Sequence, residues 1–488
     1  MQDENREKQQ TEPQEVVSWY VRPEGQEVVD CYVQPRPMPA AAIPKAEPEK
    51  KPHSRRGLWI FLIALAVLVG MMDTMMVASV SEAAMSGVSL VDQINNVIIC
   101  LLAALATGGA VVSSQLLGAK DQKKACESAN QLMLVVLAVS LGIMALSVAF
   151  CRPLLSMVYG SIEADVMDAA VTYLWITALS FPFLAVYNGA AALYRSMGKS
   201  RSTMYVSMRM NAINVAGNAL LVYVFKLGVA GVAIPTLVSR AVAAVVMYVM
   251  LLNQKHEIHL IRGGYRPDFP MIRRILKIAV PSGVENSLFQ LGRVLVVSII
   301  STFGTAQIAA NAVANTLDSM GVLLAGAINL AVITVVGQCV GAQDFDQVKY
   351  YARKLLLIAY AANAVMNGLV LALLNPLLHL FNLSQAAFDL GRILVIIHAG
   401  CAILLWPAAF TLPNSLRATN DVSFTMYVAI GSMAVFRILT SYILGARMGM
   451  GAIGVWIGMV IDWIFRSSAF IWRWKSEKWR AYCTVSKT

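Results

Sequence analysis

Residues 58–80 read LWIFLIALAVLVGMMDTMMVASV, an apolar run interrupted by one carboxylate, Asp73. A helix of that length crosses a hydrocarbon core about 30 Å thick. The rest of the chain repeats the pattern. Of its 488 residues, 58% are hydrophobic and 14% charged, far from the usage of a water-soluble domain. Apolar residues gather in about twelve blocks, near 58–80, 89–112, 129–151, 168–193, 203–225, 229–252, 272–302, 306–335, 352–375, 388–412, 424–446 and 452–474. Only helices and closed barrels satisfy their own backbone in lipid, and no ten-residue alternating strands are present. The fold class predicted is an all-α polytopic membrane protein.

Orientation follows from the basic residues. Alternate connections carry Arg55 and Arg56, then Lys120, Lys123 and Lys124, then Arg195, Lys199 and Arg201. Further basic residues follow at 255–274, at Lys349, Arg353 and Lys354, at Arg417, and at Lys475, Lys478 and Arg480. The opposite set offers Arg152, Lys226 and Arg447. The positive-inside rule therefore puts both termini in the cytoplasm of a multi-pass plasma-membrane protein, which requires an even number of spans. The net charge of +11 reads as topology and attraction to anionic lipid, with no nucleic-acid partner.

Residues 1–57 have no apolar block and are rich in Gln, Glu, Pro and Lys, the composition of a disordered cytoplasmic tail. Within it VVSWYVRP and VVDCYVQP repeat as V-V-x-x-Y-V-x-P, a possible docking motif or a plain spacer. The seven cysteines show no paired or metal-type spacing. No H-E-x-x-H, G-x-S-x-G or phosphate-cradling loop is present, which argues against an enzyme and against direct ATP drive.

Internal repetition organises the remainder. QLLGAKDQKKACESA from Gln115 resembles QCVGAQDFDQVKYYA from Gln338, and YRSMGKSRSTMYVSM from Tyr194 resembles LRATNDVSFTMYVAI from Leu416. Two matches at nearly the same offset indicate a duplicated six-helix bundle. Each copy starts from the same side, so the halves are parallel repeats. The division expected is a tail over 1–57, a first lobe of six helices over 58–252, a linker over 253–271, a second lobe over 272–474 and a cytoplasmic tail over 475–488.

Two parallel helical lobes point to a secondary transporter. MMDTMMV in the first span, the two G-A-x-D loops, Asn214 and Asn218, LGVAGVAIPT and the R-x-x-x-D from Arg417 together resemble the multidrug and toxic compound extrusion family of efflux antiporters. The resemblance covers about Leu58 to Trp474.

Depth can be estimated at ~1.5 Å per residue, which puts Asp73 roughly 22 Å from the cytoplasmic end of its span. Asn214 and Asn218 lie roughly 17 and 23 Å into theirs, and Thr236 lies about 10 Å below the outer surface. Four oxygen-bearing side chains from three helices thus meet at one level. A carboxylate there costs about 2.5–3.5 kcal/mol on insertion scales and should face the interior. Desolvation favours its protonated form and a bound cation the ionised one, so one group can alternate between H⁺ and Na⁺. The resemblance implies the same set, Asp73, Asn214, Asn218 and Thr236, as the cation site, holding Na⁺ if sodium is the coupling ion. Some members carry Asp where this chain has Asn218, which leaves H⁺ and Na⁺ both open. The alternative is a structural role for Asp73 as a buried hydrogen-bonding group.

In the second lobe Glu285 is a buried acid and a candidate for a second proton or substrate-cation site. The resemblance puts an acid about a turn farther along, where this chain has Phe289 and Gln290. Asp318, Arg293, Arg437, Asp462 and Arg466 also read as a structural network whose charges neutralise one another. Apart from the coupling ion no cofactor is expected. The cargo expected is small, amphipathic and cationic, carried by a monomer in the bilayer. A flippase for lipid-linked precursors is the alternative.

Overall fold

The computed structural model describes Met76 and residues 80–160, 163–261, 263, 266–381 and 383–483. Asp73, the span 58–80 up to Val80, and the tail 1–57 lie outside these residues, Met76 apart.

Among the described residues the chain forms fifteen α-helices of defined extent, here α1 to α15. The first half comprises α1 (Glu82–Gly118), α2 (Gln122–Ala149), α3 (Cys151–Tyr159), α4 (Ala164–Leu179), α5 (Phe181–Ser196), α6 (Ser200–Ala219) and α7 (Ala230–Leu251). The second comprises α8 (Phe269–Ser301), α9 (Thr305–Gly341), α10 (Phe345–Ala372), α11 (Leu374–His379), α12 (Gln385–Trp406), α13 (Leu412–Ala418), α14 (Val422–Ser432) and α15 (Gly451–Lys475). Among the described residues nine helical segments are long and apolar enough to cross a membrane, or ten when α4 and α5, bent by 44°, count as one. The bend falls at Ser180, with Pro182 in the first turn of α5. Segment α6 is absent from that set because Arg201, Arg209, Asn211, Asn214 and Asn218 dilute its apolar content. Wide π-helical turns occupy Leu220–Val224, Pro407–Thr411, Met433–Leu439 and Tyr442–Arg447.

Large apolar side chains such as Leu404, Val365 and Val245 are exposed along the spans. In water they would drive association; here they match the acyl chains of a bilayer.

The repeated motifs explain the turns they occupy. In each G-A-x-D loop the residue before the aspartate takes a left-handed conformation, φ 59° at Lys120 and 58° at Gln343. The aspartate then caps the next helix. Asp121 accepts from the Lys124 N–H and Asp344 from the Gln347 N–H, both at 3.0 Å. The glycines let α1 and α9 cross. A Cβ on Gly118 would stand 1.9 Å from the Gln338 carbonyl oxygen, and one on Gly341 would stand 1.8 Å from that of Gln115.

Beside this crossing two amides clasp the halves together. Gln115 Nε2 donates to the Ala418 carbonyl at 2.9 Å and Gln338 Nε2 to the Ser196 carbonyl at 2.8 Å. Arg274 adds a bond to Gln115 Oε1 at 3.0 Å. Helix α8 packs along α1, so Ile275, Ile278 and Ala279 join the apolar core of the first half. The bundle is therefore closed at the end that carries the G-A-x-D turns.

The linker is strapped to α2 by consecutive amides. Asn130 bonds the N–H and carbonyl of Ile261, and Gln131 bonds the Asp268 N–H and the Arg266 carbonyl.

Candidate functional site

A cavity of about 520 Å³ opens in the first half between α1, α4, α6 and α7. Helical spacing sets its polar wall: Asp92 and Asn96 on α1, Asn211 and Asn214 on α6, and Thr236 and Arg240 on α7. Asp92 lies roughly 34 Å along α1 from Gln115, so the cavity belongs to the half of the bundle remote from the closed end.

Two of the sequence-designated residues meet here. Asn214 Nδ2 donates to Thr236 Oγ1 at 3.0 Å, and that hydroxyl donates to the Val232 carbonyl at 3.1 Å. The second bond holds the hydroxyl against its own helix, and Pro235 sits beside it. Asn218, one turn farther along α6, is fully buried and is not among the residues lining the cavity. Gly217 next to it approaches Pro235 so closely that a Cβ would come within 2.7 Å of the proline ring. Asp73 lies outside the described residues, so the four-oxygen set is seen here through Asn214, Asn218 and Thr236.

Sequence reasoning passed over Asp92 and Arg240. Arg240 donates to Ser180 Oγ at 2.7 Å, tying α7 to the bend of the fourth span, and interacts electrostatically with Asp92. Their signal was present: an ionisable residue inside an apolar block marks a functional position by default.

The interior of the second half is built differently. Glu285 on α8 is buried and pairs with Arg417 at 2.7 Å, while Arg417 also donates to Asn414 Oδ1 at 2.8 Å. Arg417 thus does more than mark topology. Asp462 faces two guanidinium groups, Arg466 at 2.9 Å and Arg437 at 3.8 Å. Both lie over the ring of Phe289, at 5.6 Å for Arg437 and 5.3 Å for Arg466. Asp318 contacts His398 Nε2 at 2.6 Å, and the imidazole packs edge-on against Trp456 and Trp463. Across the middle, Gln290 of α8 reaches Cys100 of α1 at 3.7 Å.

Chemically, the first half offers amide and hydroxyl oxygens and one carboxylate around an open space. The second offers paired charges on an aromatic floor.

Comparison with known proteins agrees with this reading of the fold. The MatE family model matches the chain twice, over residues 59–220 and 281–443. An uncharacterised transporter of Bacillus subtilis, YisQ, is 28% identical over 425 residues, covering 86% of this chain and 92% of that protein. A probable multidrug resistance protein of Thermotoga maritima, NorM, is 24% identical over 430 residues, covering 87% and 91%. Among solved structures, a MOP superfamily transporter from Pyrococcus furiosus superposes with TM-score 0.79 at 18% identity, over 87% of this chain and 94% of that one. An outward-facing multidrug resistance MATE transporter superposes with TM-score 0.79 at 18% identity, over 86% and 94%. Two successive matches to one family model, each spanning most of one half of a duplicated helical bundle, make this chain a member of the MatE family.

Proposed function

We propose that this chain is a secondary active efflux transporter that exports small amphipathic compounds, organic cations among them, across the plasma membrane in exchange for inward-moving H⁺ or Na⁺. The observation that carries the proposal is the first-half cavity: a water-accessible, amide-rich space within a membrane bundle, closed off at the opposite end by the interlobe clasp. The relatives named for multidrug resistance support the direction and the breadth of cargo. Charge assigns the closed end to the cytoplasm, so this conformation corresponds to the outward-open stage of an alternating-access cycle. Both termini are cytoplasmic in this arrangement, and the protein works as a monomer.

Coupling is assigned to Asp73 with Asn214, Asn218 and Thr236 as neutral oxygen donors. A carboxylate facing such a cavity holds a proton when dry and gives it up to a cation or to water when the cavity hydrates. The geometry of Asn214 and Thr236 supports the assignment, because their mutual bond fixes two oxygen-bearing groups of different helices side by side.

The test is ethidium efflux from proteoliposomes under an imposed pH gradient and, separately, an imposed Na⁺ gradient, with wild type and Asp73→Asn. One gradient should drive efflux in wild type, and the substitution should abolish it while the protein stays folded. Efflux unchanged by Asp73→Asn would return that residue to a structural role. No efflux under either gradient would overturn the proposal.

A further inference from the structure

The buried charges of the second half are unevenly paired. Glu285 pairs with Arg417, while Asp318 contacts His398 and acts electrostatically on Arg437 without touching it. Asp462 contacts both Arg466 and Arg437, and the closer contact goes to Arg466. Arg437 is left with a 3.8 Å approach although its side chain is only 11% exposed. A guanidinium at this depth is expensive unless it is closely paired.

Two buried donors in the same cluster lack an acceptor among the described residues. They are Arg437 Nε and Trp463 Nε1, groups that can only donate. They flank one aromatic floor: Phe289 beneath Arg437, then Phe410 at 6.1 Å from Phe289 and 6.0 Å from Trp463. Arg293, one turn beyond Phe289 on α8, is exposed. It lies in electrostatic range of both Arg437 and Cys100 of the opposite half, so it faces the space between the halves.

Two of the four π-helical turns among the described residues fall at the same place. Arg437 and Phe410 each sit in a π-helical turn, Met433–Leu439 and Pro407–Thr411. Such turns are rare and concentrate at functional sites. A purely structural network would be expected to satisfy its donors; this one leaves two buried N–H groups and a loosely paired guanidinium around a flat apolar surface.

We propose that Arg437 and Arg293, with the Trp463 N–H and the rings of Phe289 and Phe410, form a subsite for the oxyanion of an aromatic amphipath, a carboxylate above all. The guanidinium groups pair with the oxyanion while the substrate ring packs on the phenylalanines. The assignment rests on the transport reading for its purpose, and it widens the cargo from organic cations to zwitterions and aromatic acids.

The test is equilibrium binding of dansylglycine and of its uncharged amide to the full-length protein in nanodiscs of neutral phospholipid, with no gradient. Wild type should prefer the acid by roughly tenfold or more, as hydrogen bonds to charged groups warrant. Arg437→Gln should bring that preference close to unity, and Arg293→Gln should reduce it. Arg437→Gln leaves Asp462 its nearer partner Arg466, and Arg293 is exposed, so at least one variant stays folded. Equal binding of acid and amide to wild type, or an unchanged preference in the folded variants, would overturn the subsite. Displacement of dansylglycine by sulfate at matched concentration would assign the site to an inorganic anion, and displacement only in anionic-lipid nanodiscs would assign it to a lipid headgroup; either overturns the aromatic cargo. Binding needs no coupling ion, so failure of gradient-driven efflux with the acid preference intact would remove the antiport reading and leave the subsite standing.

Discussion

The first half of the molecule arranges its polar groups around an open cavity, whereas the second folds its charges into pairs on an aromatic floor. In the first, Asn214, Thr236, Asp92 and Arg240 border a space of about 520 Å³. In the second, Asp462 is fully buried and Arg466 is 3% exposed. Outside these interiors the halves remain alike. The same aspartate caps, left-handed turn residues and glycine crossings recur at both G-A-x-D loops. Duplication has kept what backbone sterics and capping dictate, and the interiors, free of those constraints, have diverged into different chemistry.

The largest effect should come from removing Asp462, the acid that two buried arginines share. Asp462→Asn removes the carboxylate that both Arg466 and Arg437 contact, and breaking a buried pair in this way costs about 3–5 kcal/mol. Asp92→Asn, at an exposed cavity position in electrostatic range of Arg240, should change stability by about 1 kcal/mol or less. Thermal unfolding of the two variants side by side would erase the contrast if they melted together. Next, Glu285→Gln keeps an acceptor for Arg417 but loses the charge, and should cost about 1.5–3 kcal/mol as a charged hydrogen bond does. Ethidium efflux should survive that change; its loss in a variant of normal stability would move Glu285 from structural pair to coupling group.

A smaller effect is expected in the cavity. Thr236→Val removes the acceptor of Asn214 Nδ2, worth about 1 kcal/mol, and should weaken the coupling-ion dependence of efflux more than the melting temperature. An unchanged ion dependence would place the Asn214–Thr236 pair among helix-packing contacts.

The smallest lies in the linker. Lys199 donates to His256 Nδ1 at 2.7 Å. Burial first, then the charges of Lys199 and His259, hold the His256 imidazole below its usual value. The folded linker therefore favours the neutral ring. That contribution is complete above the ordinary histidine value and is lost as the pH falls through the depressed one. Protection against hydrogen exchange over 253–261, taken relative to the intrinsic rate at each pH, should fall between neutral and mildly acidic pH in wild type and lose this dependence in His256→Ala.

The helical class and the duplication were legible in the sequence because they follow from periodicity and offset, and depth along the helices put Asn214 and Thr236 at one level without pairing them. Spans announce themselves by length, repeats by offset, and an i, i+4 stripe by helix geometry. The turns were legible as matching letters, but their cause was not: only the backbone reveals that the Gly-Ala-x-Asp glycines sit where a Cβ would strike a carbonyl. Asn218 shares a helical stripe with Asn214, yet the close approach of α6 and α7 at Gly217 buries it away from the cavity wall. Arg417 read as a topological charge because its partner Glu285 lies over a hundred residues away in sequence. Neither Asp318–His398 nor the sharing of Asp462 has a local signature, since each pairing depends on how helices from distant segments are rotated.

The interlobe clasp has a further consequence. Gln115 reaches the carbonyl of Ala418, and Gln338 that of Ser196, and the repeats place these four residues in exchanged positions. A contact in which residue i of one copy meets j of the other, and j meets i, is the signature of an isologous two-fold interface. The covalent linker is thus joining what symmetry had already matched. Two polypeptides divided between the strap residues Ile261 and Asp268 should reassemble into one transporter, and the six-helix half would then stand as the unit from which the chain was built.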